Sequence, residues 1–144
     1  MANEEYRDYI NDPWETFGDF EVGTYPTKTY KLHLGDSNEL YNYADGIEAV
    51  KQSVYKILNT ERYDNLIYSW NYGVELNHII GKPIGFAISE IDRVITEALI
   101  QDDRIDSVDN FTFNRVKDKK NIIEVSFTVH SIFGEFKSSS EVQI

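Results

Sequence analysis

The strongest order in this chain is the spacing of its apolar residues, which changes period several times after residue 29. Tyr30, Leu32 and Leu34 alternate with Thr29, Lys31 and His33, the period-two pattern of a strand that buries one face. The tetrapeptide GDSN then reads as a turn, and residues 39–43 as a second short strand returning from it. Farther on, Ile47, Val50, Val54, Ile57 and Leu58 recur at helical spacing, which predicts a helix over residues 46–59. Asp45 stands where that helix needs a cap and Glu48 follows three residues later, so the two resemble a capping box with Asp in the capping role.

Residues 60–83 follow no single period. Leu66, Ile67, Tyr68 and Trp70 suggest an irregular aromatic stretch, Gly73 a backbone turn, and residues 74–80 a short helix closed by Gly81 and Pro83. A second long amphipathic helix is written in Ile84, Ile88, Ile91, Val94, Ile95, Ala98 and Leu99, ending near Gln101. The remainder reads as sheet. Phe111 and Phe113 share a parity, KDKKN makes a turn, and Ile123, Val125, Phe127 and Val129 alternate with Glu124, Ser126 and Thr128. Gly134 marks a hairpin, after which Phe136, Val142 and Ile144 stand on the opposite parity to Lys137, Ser139, Glu141 and Gln143. The pattern predicts an α+β fold over residues 27–144: one small domain with two or three helices packed on a mainly antiparallel C-terminal sheet.

Composition changes the picture at the N-terminus. Residues 1–29 hold Glu4, Glu5, Asp8, Asp12, Glu15, Asp19 and Glu21 against Arg7 and Lys28, with two prolines and no sustained period. Residues 1–26 are therefore expected to form an extended acidic arm ahead of the domain. Tyr6, Tyr9, Trp14, Phe17, Phe20 and Tyr25 are more rings than a solvated tail needs, so the arm reads either as a loose terminus or as a segment that orders against a neighbouring protein, and both readings stay open. The whole chain carries a net charge of −11, which repels phosphate backbones and argues against nucleic acid as a partner. No apolar run approaches the roughly 20 residues that cross a bilayer, and the first residues lack the basic-then-apolar order of a secretory signal. The expectation is a soluble protein made in a cytosol, with no membrane partner.

Candidate chemistry is sparse. The absence of cysteine removes disulfides, thiolate metal sites and cysteine nucleophiles. His33, His78 and His130 fall in three different expected elements without metal-ligand spacing. There is no G-x-S-x-G elbow, Gly-rich phosphate loop or H-E-x-x-H. Acidic residues are abundant enough that a two-carboxylate glycosidase is not removed by residue type, but no pair is singled out. No catalytic residue, cofactor or metal is expected. The last strand is more informative: its middle, KSSSE, suits an edge better than the centre of a sheet. Such an edge either receives another chain's strand or is protected by its charges.

Three blocks in order carry a resemblance: DGIEAVKQSVYKILNTERYDNLIYSWNYGVELNHIIGK, then EALIQDDRIDSVDNF, then SFTVHSIFGE. Together they resemble the sheath-initiator baseplate proteins of contractile phages, prophages and phage-tail-like bacteriocins, a wedge family historically labelled lysozyme-like. The resemblance covers residues 27–144 and implies a small domain in six copies around the tail axis, on top of the baseplate. It implies sheath protein, baseplate wedge proteins and tail tube or hub proteins as partners, with the first sheath ring adding a strand to the C-terminal strands. The residues implied to meet sheath are Glu135, Lys137, Ser139, Ser140, Glu141 and Gln143. The family's Glu-Pro-Arg motif meets the wedge; Glu61 and Arg62 match its charged members, Trp70 stands near the Pro position at a longer spacing, and Tyr72 and Gly73 match the aromatic–Gly step. Read on their own chemistry, Glu61 and Arg62 suit charge-assisted bonds to a partner or an internal pin on the loop, and both readings stay open. The function implied is a non-enzymatic baseplate component that templates the first sheath ring. The alternatives are a peptidoglycan-cleaving muramidase, as the old label suggests, and an oligomeric scaffold unrelated to tails.

Overall fold

A computed structural model describes residues 27–33, 42–117, 119 and 121–144; the expected acidic arm, the GDSN turn and most of the expected return strand lie outside them. The elements run β1 (Thr29–Tyr30), β2 (Tyr43–Ala44), α1 (Gly46–Leu58), a 3-10 turn (Asn77–Ile79), α2 (Ile84–Leu99), β3 (Ile105–Arg115), β4 (Ile122–Ser131) and β5 (Gly134–Gln143). β1 and β2 pair with each other, and the remaining strands form an antiparallel sheet of order β3-β4-β5. One face of that sheet carries the helices, α2 against β3 and α1 against β5. This is the α+β arrangement that the apolar spacing predicts.

The core fills the space between helices and sheet. Val50, Val54 and Ile57 from α1, Ile91, Ile95 and Leu99 from α2, and Ile123, Val125, Phe127 and Val129 from β4 are all buried. Each such side chain contributes about 1.5–3 kcal/mol of transfer free energy. β4, alternating in sequence and central in the sheet, is the strand covered most completely.

Local chemistry decides where the elements start and stop. Asp45, in extended backbone, accepts from the Gly46 N–H at 2.8 Å and from the Thr27 hydroxyl, so the first described residues are tied to the start of α1. The Thr27 bond, with that of Gly46, holds the Asp45 carboxyl below its ordinary range. Asp45 caps the helix, but not as a capping box: its carboxylate accepts from the Gly46 N–H and not from that of Glu48, and Glu48 turns to the Lys51 ammonium at 2.6 Å, a charged donor that outcompetes a neutral backbone N–H. β1 is also shorter than its alternation suggests. The Gln52 amide donates to the Tyr30 carbonyl and accepts from the Leu32 N–H, both at 2.8 Å, so a helix side chain replaces the next rungs of a ladder.

Candidate functional site

Two surfaces carry the residues that the sequence singles out. The first is the connection from α1 to α2. The Val74 N–H donates to the Thr60 carbonyl at 2.9 Å and the Arg62 N–H to the Val74 carbonyl at 3.0 Å, closing a short parallel bridge between Glu61 and Val74. Gly73 sits in the turn that brings the two segments together, at φ +96°, where a Cβ would lie 2.6 Å from the Thr60 carbonyl oxygen. Only glycine fits there. The Glu61 carboxylate then accepts from the Leu76 and Asn77 N–H groups at 3.3 and 3.2 Å, capping the 3-10 turn. Residues 74–80 hold one 3-10 turn instead of the expected short helix: Val74 is paired across the loop with Thr60 and Arg62, and the backbone leaves helical geometry at Ile80, at φ −57° and ψ 127°.

Arg62 is the buried member of the pair, its side chain 8% exposed. Its Nε donates to the Gly73 carbonyl at 3.3 Å, and Nη1 donates to Glu75 at 3.2 Å and Glu97 at 3.0 Å. Burial works against the guanidinium charge, but the bond to Glu97 and the fields of Glu97 and Glu75 outweigh it, and its pKa is raised. Glu61 and Arg62 do not bond to each other: Glu61 caps the 3-10 turn, and Arg62 ties together Gly73, Glu75 and Glu97. That geometry pins the loop, as one of the two readings of the pair expects.

What the pin holds is a loop with an apolar tip. Tyr72 packs against the core and Tyr68 stacks on it at 4.5 Å, while Tyr63, at φ +72°, meets Trp70 edge-on at 6.2 Å. Burial, and after it the neighbouring Tyr68 and Asp102, pushes the Tyr72 hydroxyl pKa up. Leu66, Ile67 and Trp70 are 101%, 86% and 82% exposed. Sequence reasoning noted Leu66 and Ile67 without placing them at the surface. Their signal was present: two adjacent large apolar residues in a segment with neither period have no buried face to share.

The second surface is β5. Glu135, Lys137, Ser139, Glu141 and Gln143 are exposed, Phe136, Ser138 and Ser140 are half-buried, and Val142 is buried. The direction of the backbone groups follows from the register. Gly134 pairs with Ser131 across the hairpin, the β4–β5 register has no break, and the Ile144 N–H donates to the Asn121 carbonyl at 2.9 Å. Antiparallel pairs alternate between those that exchange bonds and those that do not, so Phe136, Ser138, Ser140 and Val142 aim their backbone groups at β4. Independently, the Val116 N–H reaches the Ile122 carbonyl, so the even-numbered β4 residues bond to β3 and the odd-numbered ones to β5. The outward donors and acceptors of β5 are therefore those of Glu135, Lys137, Ser139, Glu141 and Gln143. Ser140, which the resemblance implied together with them, instead aims its backbone groups at β4.

The opposite edge differs. β3 breaks register between Ile105 and Ser107 and again between Asp109 and Thr112, with Asn110 at φ +55°. Each bulge adds a residue and reverses which groups point outward, so β3 offers no uninterrupted two-residue repeat to an added strand.

The described histidines near these surfaces sit in local pairs with carboxylates. His130 lies between Asp109 at 3.0 Å and Glu135 at 3.5 Å, and His78 is 3.7 Å from Glu90. Among the described residues no cluster of His, Asp and Glu could hold a metal, and no helix is long and apolar enough to cross a membrane. Asp102 is bonded by Arg104 at 2.6 and 2.8 Å and by the Ser53 hydroxyl at 2.8 Å; burial raises its pKa, but these bonds outweigh it and the net shift is downward. Asp45, Glu48 and Glu90 also shift downward, mainly through hydrogen bonds from Thr27, Lys51 and Arg93. A general acid working near neutral pH needs the opposite displacement.

Residues 26–134 match the family described as contractile injection system sheath initiator. The match ends where β5 begins. The chain is 35% identical over 125 residues to the phage-like element PBSX protein XkdS of Bacillus subtilis (strain 168), across 83% of this chain and 86% of that one. Its fold is similar to a crystal structure from Geobacter sulfurreducens that carries a tail-lysozyme label, with a TM-score of 0.56 and 17% identity over 67% of this chain and 89% of the other.

Proposed function

The chain belongs to the contractile injection system sheath initiator family, and from that premise we propose that it is a structural baseplate component that joins the wedge and templates the first sheath ring by strand addition. The observation that carries this reading is the contrast between the two sheet edges. β5 offers an unbroken run of outward backbone groups, held from behind by Phe136 and Val142, whereas β3 is interrupted by two bulges. Pairing along β5 adds several backbone hydrogen bonds, each contributing about 0.5–1.5 kcal/mol net. Repetition around a sixfold ring multiplies modest affinity per subunit through effective concentration. The wedge side is the apolar loop tip of Leu66, Ile67 and Trp70, with Glu61, Arg62 and Gly73 holding the loop in shape. Large apolar and aromatic groups on a fixed backbone suit a protein contact, since little ordering remains to oppose binding.

Peptidoglycan cleavage has less support. The likeness to the tail-lysozyme structure is at 17% identity and is one of fold, and every displaced carboxylate among the described residues is shifted away from general-acid behaviour.

The test is particle assembly with a single outward donor removed. Ser139→Pro deletes an N–H that points away from β4, so the variant should fold, join the baseplate and yield particles with tubes but without extended sheath, as counted by electron microscopy. Ser139→Ala keeps the N–H and should assemble normally. Fully sheathed particles carrying Ser139→Pro would reject strand addition at β5. Ile67→Asp should instead leave the chain off the baseplate, and its normal incorporation would reject the loop-tip contact.

A further inference from the structure

We infer that β5 is self-complementary, and that the free protein forms a homodimer by antiparallel β5–β5 pairing about a two-fold axis at Ser139. The pairing uses the same β5 edge as the reading above, which no strand covers among the described residues, and adds to it the order of the residues along that edge. With Ser139 opposite the partner's Ser139, Lys137 stands opposite the partner's Glu141, Glu141 opposite the partner's Lys137, and Glu135 opposite the partner's Gln143. All of these are residues whose backbone groups point outward, so the register closes a ladder of bonded pairs. On the helix-covered face it sets half-buried Phe136 beside the partner's Val142 and Ser138 beside the partner's Ser140.

Neighbouring registers lack this match. A slip of two residues one way opposes Glu135 to the partner's Glu141; the same slip the other way opposes Lys137 to the partner's Gln143 and Glu141 to the partner's Ser139. The first is repulsive, and the second forfeits both ion pairs. The monomer also leaves these charges incompletely matched. Glu141 faces Glu124 across the β4–β5 ladder, with Lys119 as its cation at 2.6 Å, and Lys137 faces neutral Thr128 and has no ion pair among the described residues. The axis runs perpendicular to the sheet, so the helices of both copies remain on one face of a continuous sheet.

Paired in this way, the edge is covered in the free protein and becomes available when partners hold the chain in a ring.

Sedimentation equilibrium on the purified chain tests the proposal. Wild type should pass from monomer to dimer between about 1 µM and about 500 µM, and Ser139→Pro should remain monomeric with unchanged circular dichroism. Lys137→Glu and Glu141→Lys each turn both cross-pairs repulsive and should weaken self-association by at least about tenfold. Mixed together, the two variants place opposite charges at every cross-pair and should form a heterodimer. The double variant Lys137→Glu/Glu141→Lys should dimerise again. A wild type monomeric throughout the range, or single variants that dimerise as well as wild type, would overturn the inference, as would a mixture that does not associate. Each of those outcomes leaves strand addition by sheath to be judged separately, by the sheath length of particles carrying Ser139→Pro.

Discussion

Replacing Arg62 by alanine removes three donors from one buried point: Nε from the Gly73 carbonyl, and Nη1 from Glu75 and Glu97. A hydrogen bond to a charged group is worth about 1.5–3 kcal/mol when sheltered, but the Glu75 and Glu97 side chains are 44% and 46% exposed. Solvent screening brings each of those pairs toward about 0.5–1 kcal/mol. The Gly73 carbonyl left behind adds about 1 kcal/mol, and the lost packing of the arginine stem a similar amount. The sum is about 3–4 kcal/mol, or a fall in Tm of roughly 9–16 °C for a domain of this size. Urea denaturation of wild type, Arg62→Ala and Arg62→Lys measures it. Lysine presents a single ammonium and cannot reproduce the fork, so it should recover less than half of the loss. Near-native stability of Arg62→Ala, together with failure to join the baseplate, would refute the pin and return Arg62 to direct contact with the wedge.

Gly73→Ala should destabilise by about 2 kcal/mol or more, because the new Cβ meets the Thr60 carbonyl and φ is positive; thermal melting checks it. Val142→Asp buries a charge in the core between β5 and the helices, and should leave the purified protein without a cooperative unfolding transition. The folded pKa of Asp102 lies below its ordinary 3.8, so its stabilising contribution is present above that value and is lost as pH falls through the lower folded value. Asp102→Asn should accordingly flatten the loss of stability below pH 3.8 in urea titrations. The purified wild-type chain should release no muropeptides from cell wall in a turbidity assay; saturable release abolished by one Asp or Glu substitution would reject the non-enzymatic reading.

By itself, the sequence determined the elements whose burial repeats within one segment. The spacing of Val50, Val54 and Ile57, and of Ile91, Ile95 and Leu99, places α1 and α2 to within two residues, and the alternation from Ile123 to Val129 marks the central strand. The parity of β5 was equally legible, since Phe136 and Val142 must turn the same way as each other. Tertiary structure decided what depends on groups far apart in the chain. Val74 is drawn into a bridge by Thr60 and Arg62 and so is not the start of a helix, and Arg62 became a pin because Glu97, on α2, reaches it. Whether Ser139 or Ser140 turns its N–H outward was settled by the hairpin register, and the blunting of β3 by bulges that its residue types do not announce. Periodicity reports which face of a segment leaves water. Only the assembled fold determines which distant donor meets which acceptor, and so which edge and which loop remain free for a partner.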